Sequence, residues 1–183
     1  MPQFIAFSKT AEVSGLAIMV CLESFPEYYR ADIEHLLNEN NIVQLAPEKW
    51  FNLQSYLNVL RDISTRYGTY TLFNVGVAIN DKIPFPPNTT LESALTAMNA
   101  SYSAHHRDDY TSYIKLRSFD LQAKKAVMEY KNPYPCHFER GLLTACARKF
   151  TPPNAGFIDV QLEKNKPSRL DGADTSFYEI IWL

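Results

Sequence analysis

After His106 the spacing of apolar residues changes from three-and-four to two. That switch limits what the chain can fold into. A period near 3.6 puts apolar side chains on one face of a helix, and a period of 2 puts them on one face of a strand. Upstream, a segment opens at Pro47–Trp50, and Leu53, Tyr56, Leu57, Leu60, Ile63 and Tyr67 then form one helical stripe closed by Gly68. "RADIEHLLNEN" puts Ile33, Leu36 and Leu37 on one face and stops at its asparagines. "SGLAIMVCLESF" is apolar nearly all round and predicts a buried helix. "YTLFNVGVAIN" has the β-branched and aromatic content of a strand, yet reads here as another buried helix. "IPFPPN" is a loop, after which Thr89 or Thr90 caps a helix carrying Leu91, Ala94, Leu95, Met98 and Tyr102.

Downstream, "YTSYIKLRSF" alternates Ser112, Ile114 and Leu116 against Tyr113, Lys115 and Arg117. "QAKKAVMEY" alternates Ala126, Met128 and Tyr130 against Lys125, Val127 and Glu129. These are two antiparallel strands turning around Ser118–Gln122. A helix to about Phe150 follows, then a break at "PPN", a strand in "GFIDVQLE" and a last strand in "SFYEIIWL". The order is a helical N-terminal half, then ββαββ. This predicts an α+β fold with an antiparallel sheet packed on helices, as a single domain over 1–183.

The net charge of -2 gives no basic footprint, so nucleic-acid binding is not expected. Cys21, Cys136 and Cys146 form no disulfide framework, which predicts a reducing, cytoplasmic setting. The apolar run at Leu16–Leu22 is too short to span a bilayer. Eleven Tyr and eleven Phe fill a large core by default, or line a pocket or an interface.

"NPYPCHFERGLL" concentrates the chemistry. Pro133 and Pro135 push Asn132 and Tyr134 from helical angles, so a strand ends there and Cys136 falls at a helix start. A helix N-terminus favours a thiolate; equally, most free cysteines are small buried residues. Cys21 and Cys146 read as core. Cys136 and His137 are adjacent and no second ligand pair follows, so no metal is expected. His105-His106-Arg107 suits a helix C-terminus electrostatically, with an axial haem ligand at His105 as the sharper alternative. Glu139 and Arg140 read as helix-surface charges, and no catalytic motif occurs.

"LESALTAMNASYSAHHRD", "YKNPYPCHFERGLLTAC" and "SRLDGADTSFYEIIW" together resemble the 4-vinyl reductase domain family, over most of the chain from Trp50 onward. The matching core is Pro135, Cys136, Phe138, Arg140 and Gly141. That family shares a fold with H-NOX haem sensors and TRAPP vesicle-tethering subunits. The resemblance implies small-molecule or hydrocarbon binding in a buried pocket, often in a sensory or regulatory protein. In the TRAPP branch a cysteine can carry an acyl chain; in the H-NOX branch a helix His binds haem and Tyr-x-Ser-x-Arg grips its carboxylates. Relatives often carry a Cys…Gly…Cys pattern near the end, where this chain has Ser168, Gly172 and Ser176, so a thiolate metal site is not implied. The haem anchor would match Tyr130, Asn132 and Tyr134, of which only the first agrees, so no haem cofactor is expected.

The expectation is thus a non-enzymatic domain binding an apolar small molecule or acyl chain, with Tyr102, Tyr130, Tyr134, Phe138 and Leu142 arranged around Cys136. The second is an interaction or scaffold module with a filled core. A homodimer is expected through the first-half helices, from "SGLAIMVCLESF" and from Trp50, Phe51 and Tyr56 as exposed aromatics.

Overall fold

The computed structural model describes residues 3–152 and 155–183. Pro153 and Asn154 of the expected "PPN" break lie outside them. Strand β1 (Glu12–Ser14) runs into helix α1 (Gly15–Leu22), where the Ser14 hydroxyl accepts the Ala17 N–H at 3.2 Å. Helix α2 (Glu27–Glu39) follows, then strand β2 (Trp50–Asn52) and helix α3 (Leu53–Tyr67). Asn52 caps α3 by accepting the Ser55 N–H at 3.2 Å, a bond worth about 1 kcal/mol at such a position. Gly68, with φ of +85°, ends α3 and admits helix α4 (Thr69–Lys82). The buried helix expected in "YTLFNVGVAIN" is α4. Thr90 and Ser93 form the capping box of helix α5 (Leu91–Ala104).

Short strand β3 (His106–Arg107) precedes β4 (Tyr113–Asp120), β5 (Lys125–Lys131), helix α6 (Cys136–Lys149), β6 (Ile158–Leu162) and β7 (Ser176–Trp182). Both sheets are antiparallel, ordered β2-β1-β3 and β4-β5-β7-β6. The expected α+β order holds. The small sheet is new: its strands are two or three residues long, too short to show alternation. Trp50, expected at a helix start, belongs to β2.

In the larger sheet Ala126, Met128 and Tyr130 face inward as their period requires. The register shifts between Leu116 and Ser118, so Phe119 rather than Ser118 meets the core and stacks on Trp182 at 5.3 Å. A one-residue bulge swaps the faces beyond it, and strict alternation misplaces everything after Leu116.

One apolar cluster joins α1–α4 through Ile18, Leu36, Leu57 and Leu72; another joins α5 and α6 to the larger sheet through Leu95, Met128, Leu143 and Ile180. Each fully buried aliphatic side chain contributes about 1.5–3 kcal/mol. Tyr56, expected on an exposed face, lies in the first cluster, because its stripe turns inward against α1 and α2. Helices α4 and α6 touch backbone to backbone. A Cβ at Gly76 would stand 2.3 Å from the Phe138 carbonyl oxygen, and one at Gly141 would stand 2.1 Å from that of Phe73. This close crossing fixes α6 at one height against α4 and sets the wall of the site.

Candidate functional site

A cavity of about 650 Å³ opens between α1, α4, α5, α6 and the end of β5. Helix α5 presents Ala94, Met98 and Tyr102 to it; α6 presents Phe138 and Leu142; Tyr130, Asn132 and Tyr134 close one side. Phe138 and Leu142 are four apart, hence on one helix face. Tyr102, Tyr130, Tyr134, Phe138 and Leu142, the residues expected at a pocket, thus line this one cavity from different sides.

Cys136 does not join them. It sits two residues before Phe138, roughly 200° around the helix, and so points to the sheet side with Leu143. It is 2% exposed, with its Sγ 3.3 Å from the Ser176 Oγ, and its backbone N–H donates to the Gln3 side chain at 2.7 Å. The proline turn does deliver Cys136 to the helix start, but the first turn of α6 aims the thiol away from the cavity. Cys21 instead lines the cavity, and burial pushes its thiol up to about 12.

The polar groups beside the cavity are tied to one another. The His106 ring stacks on Tyr102 with centroids 3.9 Å apart; its Nδ1 lies 2.8 Å from the Tyr102 carbonyl oxygen and its Nε2 2.7 Å from the Tyr134 hydroxyl. A carbonyl only accepts, so Nδ1 carries the hydrogen and Nε2 accepts from Tyr134. Burial lowers the His106 pKa to about 4, so this neutral tautomer holds at pH 7. The Tyr102 hydroxyl donates to Asp109 at 2.5 Å. His105 is half-buried at the end of α5, its Nδ1 2.9 Å from the Ser14 Oγ, and burial lowers its pKa too. That contact ties the helix end to β1.

Behind this wall lies an ion pair that the sequence hid. Glu139, expected on the helix surface, is 1% exposed, and its Oε2 accepts from Arg169 Nη2 at 2.5 Å. The Tyr178 hydroxyl donates to the same oxygen at 2.6 Å. Arg169 follows the Ser168 cap and also donates from Nη1 to Asn132 Oδ1 at 3.0 Å. Burial works against the guanidinium charge, but the Glu139 carboxylate more than offsets it and the Arg169 pKa moves up. Burial raises the Glu139 pKa while Arg169 pulls it back; since arginine does not deprotonate in proteins, we assign Glu139 as the carboxylate. Glu139 also contributes to the cavity wall, and although Asn132 lies close enough to support the carboxylate, no donor reaches Oε1 within bonding distance. A carboxylate at the first turn of α6 looks like dipole compensation in sequence; only the distant Arg169 reveals otherwise.

Haem tests poorly against these side chains. His105 borders the cavity and could offer Nε2 to iron. The propionates find no anchor: the Tyr130 hydroxyl donates to Met98 Sδ at 3.1 Å, Asn132 serves Arg169, and Tyr134 serves His106. Lys82 on the wall is held by Glu23, 3.3 Å from its Oε2. Glu139 would repel a propionate, so the residues present do not fit the group. Among the described residues no cluster of His, Cys, Asp and Glu has the geometry to hold a metal ion, and no helix is long and apolar enough to cross a membrane.

The sequence matches no protein-family model and no curated protein. Solved structures do match. An oxygen-binding H-NOX domain related to soluble guanylate cyclases, in its oxygen complex, superposes with a TM-score of 0.67 at 14% identity, over 92% of this chain and 94% of that one. A Cs H-NOX mutant carrying 4-cyano-L-phenylalanine gives 0.68 at 14% identity over 92% and 96%. The H-NOX domain from Shewanella oneidensis in the Fe(II)CO state gives 0.61 at 13% over 93% and 98%. At such identities the likeness is one of fold, and the fold of this chain is that of the H-NOX domains.

Proposed function

We propose that this chain is a non-enzymatic small-molecule-binding domain whose cavity takes an apolar ligand, serving as a sensory module. The observation that carries the reading is the cavity of about 650 Å³, whose apolar lining includes Ala94, Met98, Phe138 and Leu142. The fold supports it, since one H-NOX neighbour is an oxygen complex and another a CO-ligated state. The resemblance to the 4-vinyl reductase domain family points the same way. His106 supports the non-enzymatic part, since both its ring nitrogens serve neighbouring tyrosine groups, which leaves His105 as the histidine on the cavity with a nitrogen to spare. The rival reading, an interaction module with a filled core, accords less well with so large a space. Self-association belongs to the proposal: Leu16 on α1 is 45% exposed, and sedimentation at micromolar concentration should show twice the 21.0 kDa chain mass.

Native mass spectrometry of gently purified protein tests ligand binding. An adduct of one small organic molecule, released on unfolding, is the expected result. A bare chain mass that also fails to shift with any apolar additive would refute the reading.

A further inference from the structure

The phenols on the cavity wall spend their hydrogens inside the protein. The Tyr56 hydroxyl pairs with the Cys21 thiol, Tyr102 serves Asp109, Tyr130 serves Met98 and Tyr134 serves His106. Lys82 is held by Glu23. His105 differs. Its Nδ1 lies 2.9 Å from the Ser14 Oγ, and its Nε2 meets no partner among the described residues. The ring is half-buried and lines the cavity. The Ser14 hydroxyl decides which nitrogen carries the hydrogen. It accepts the Ala17 N–H at 3.2 Å, and Ser14 is 5% exposed, so its own hydrogen needs an acceptor inside the protein. The Nδ1 lone pair is the acceptor within reach. A neutral imidazole that accepts at Nδ1 carries its hydrogen on Nε2. We infer that the cavity takes an apolar molecule bearing a neutral hydrogen-bond acceptor, such as a ketone, aldehyde or ester carbonyl, to which His105 Nε2–H donates.

The inference rests on the cavity being a ligand site and names the chemistry of what it holds. Position supports it. Ser101 and His105 stand four apart on α5, hence on one face. Both line the cavity where it opens: Ala97, Ser101 and Ala104 are exposed, whereas Tyr130, Tyr134 and Phe138 are buried. The acceptor therefore belongs at the open end, with the carbon skeleton reaching inward. A ligand that covers the ring displaces water from Nε2–H, and only an acceptor restores the lost bond. A donor at that place sets hydrogen against hydrogen. A carboxylate brings a charge that nothing there pairs: burial lowers the His105 pKa from 6.5, so the ring is neutral at pH 7, and Lys82 is engaged by Glu23. This role is opposite to metal ligation, which would need Nε2 bare and would leave the Ser14 hydroxyl hydrogen without its acceptor.

The test is an NMR titration of the isotope-labelled whole chain at pH 7 with four probes: acetophenone, ethylbenzene, N-methylaniline and benzoate. Each carries one group on a benzene ring, respectively a carbonyl, a methylene, an N–H donor and a carboxylate. Before any probe is added, the His105 nitrogen shifts should place the hydrogen on Nε2. Acetophenone should move the Nε2 signal furthest and bind more tightly than N-methylaniline and benzoate. His105→Phe keeps a ring and removes the donor; it should weaken acetophenone roughly three- to tenfold and ethylbenzene by less than about twofold. The wild-type shifts and affinities decide alone should His105→Phe not fold. A hydrogen on Nδ1, equal losses for the two probes in the variant, or acetophenone binding no more tightly than N-methylaniline or benzoate overturns the inference and leaves the cavity as a ligand site. Failure of all four probes to shift any signal of the cavity wall overturns the inference together with the proposed function.

Discussion

Acid should destabilise this protein through His106, and by an amount its surroundings set. In the folded chain the ring is buried, stacked on Tyr102 and bonded at both nitrogens, with a pKa lowered to about 4, chiefly by burial. In the unfolded chain it titrates near the model value of 6.5. Between these values the unfolded state binds the extra proton, so stability rises with pH across the window. The contribution is complete above pH 6.5, is lost progressively as pH falls, and is gone below pH 4. The whole gap from 6.5 to about 4 is worth about 3 kcal/mol, of which about 2 kcal/mol falls between pH 7 and pH 5. Asp109 nearby favours the charged ring and His105 opposes it, so both bear on the value. Glu139 titrates in the opposite sense, which makes a difference measurement necessary. Urea unfolding of the wild type and His106→Gln should be followed by circular dichroism at both pH values. The stability advantage of the wild type should shrink by about 2 kcal/mol on going to pH 5. Parallel losses in the two proteins would show that His106 is not held neutral by burial.

Further outcomes follow from the same geometry. Gly141→Ala puts a methyl group 2.1 Å from the Phe73 carbonyl oxygen, so α4 and α6 must part; chemical denaturation should show a loss of about 2–3 kcal/mol, and a neutral result would deny the close crossing. Arg169→Leu strands the Glu139 carboxylate and should cost about 3–5 kcal/mol, whereas the double variant with Glu139→Leu should recover part of it; strict additivity in the cycle would contradict the ion pair. Cys21, Cys136 and Cys146 are all buried, and burial raises the first and last to about 12, so maleimide should modify the folded protein only at the rate it opens. Fast labelling confined to Cys136 would place that thiol nearer solvent than its contact with Ser176 allows. Reconstitution with hemin should give no sharp Soret band lost in His105→Ala; such a band would mean that the missing propionate anchors are dispensable.

The helices and the larger sheet were legible because each rests on a run of eight to fifteen residues, or a repeated alternation, with its own cap: Gly68, Thr90 and the prolines around Tyr134 mark their boundaries locally. What escaped depends on pairing between distant parts. The strands β1, β2 and β3 carry too few residues for a period, and exist because Glu12 finds Asn52 and Arg107. Tyr102, Tyr130, Phe138 and Leu142 stand on elements with clear periodicity and Tyr134 in the proline turn between β5 and α6, which is why sequence could group them. Cys136 was misplaced because proximity in sequence to Phe138 says nothing about helix face; counting 100° per residue separates the two. The burial of Glu139 was invisible for a different reason: its partner Arg169 lies thirty residues away, beyond β6.

Xenon binds carbon-lined space and reports it directly by electron density. Crystals of this protein pressurised with xenon should show it between Met98, Tyr130 and Leu142, inside the cavity of about 650 Å³, with the surrounding side chains unmoved. Crystals with no xenon there, and with Phe138, Met98 or Leu142 packed across the space, would contradict the account of this chain as a ligand-binding domain.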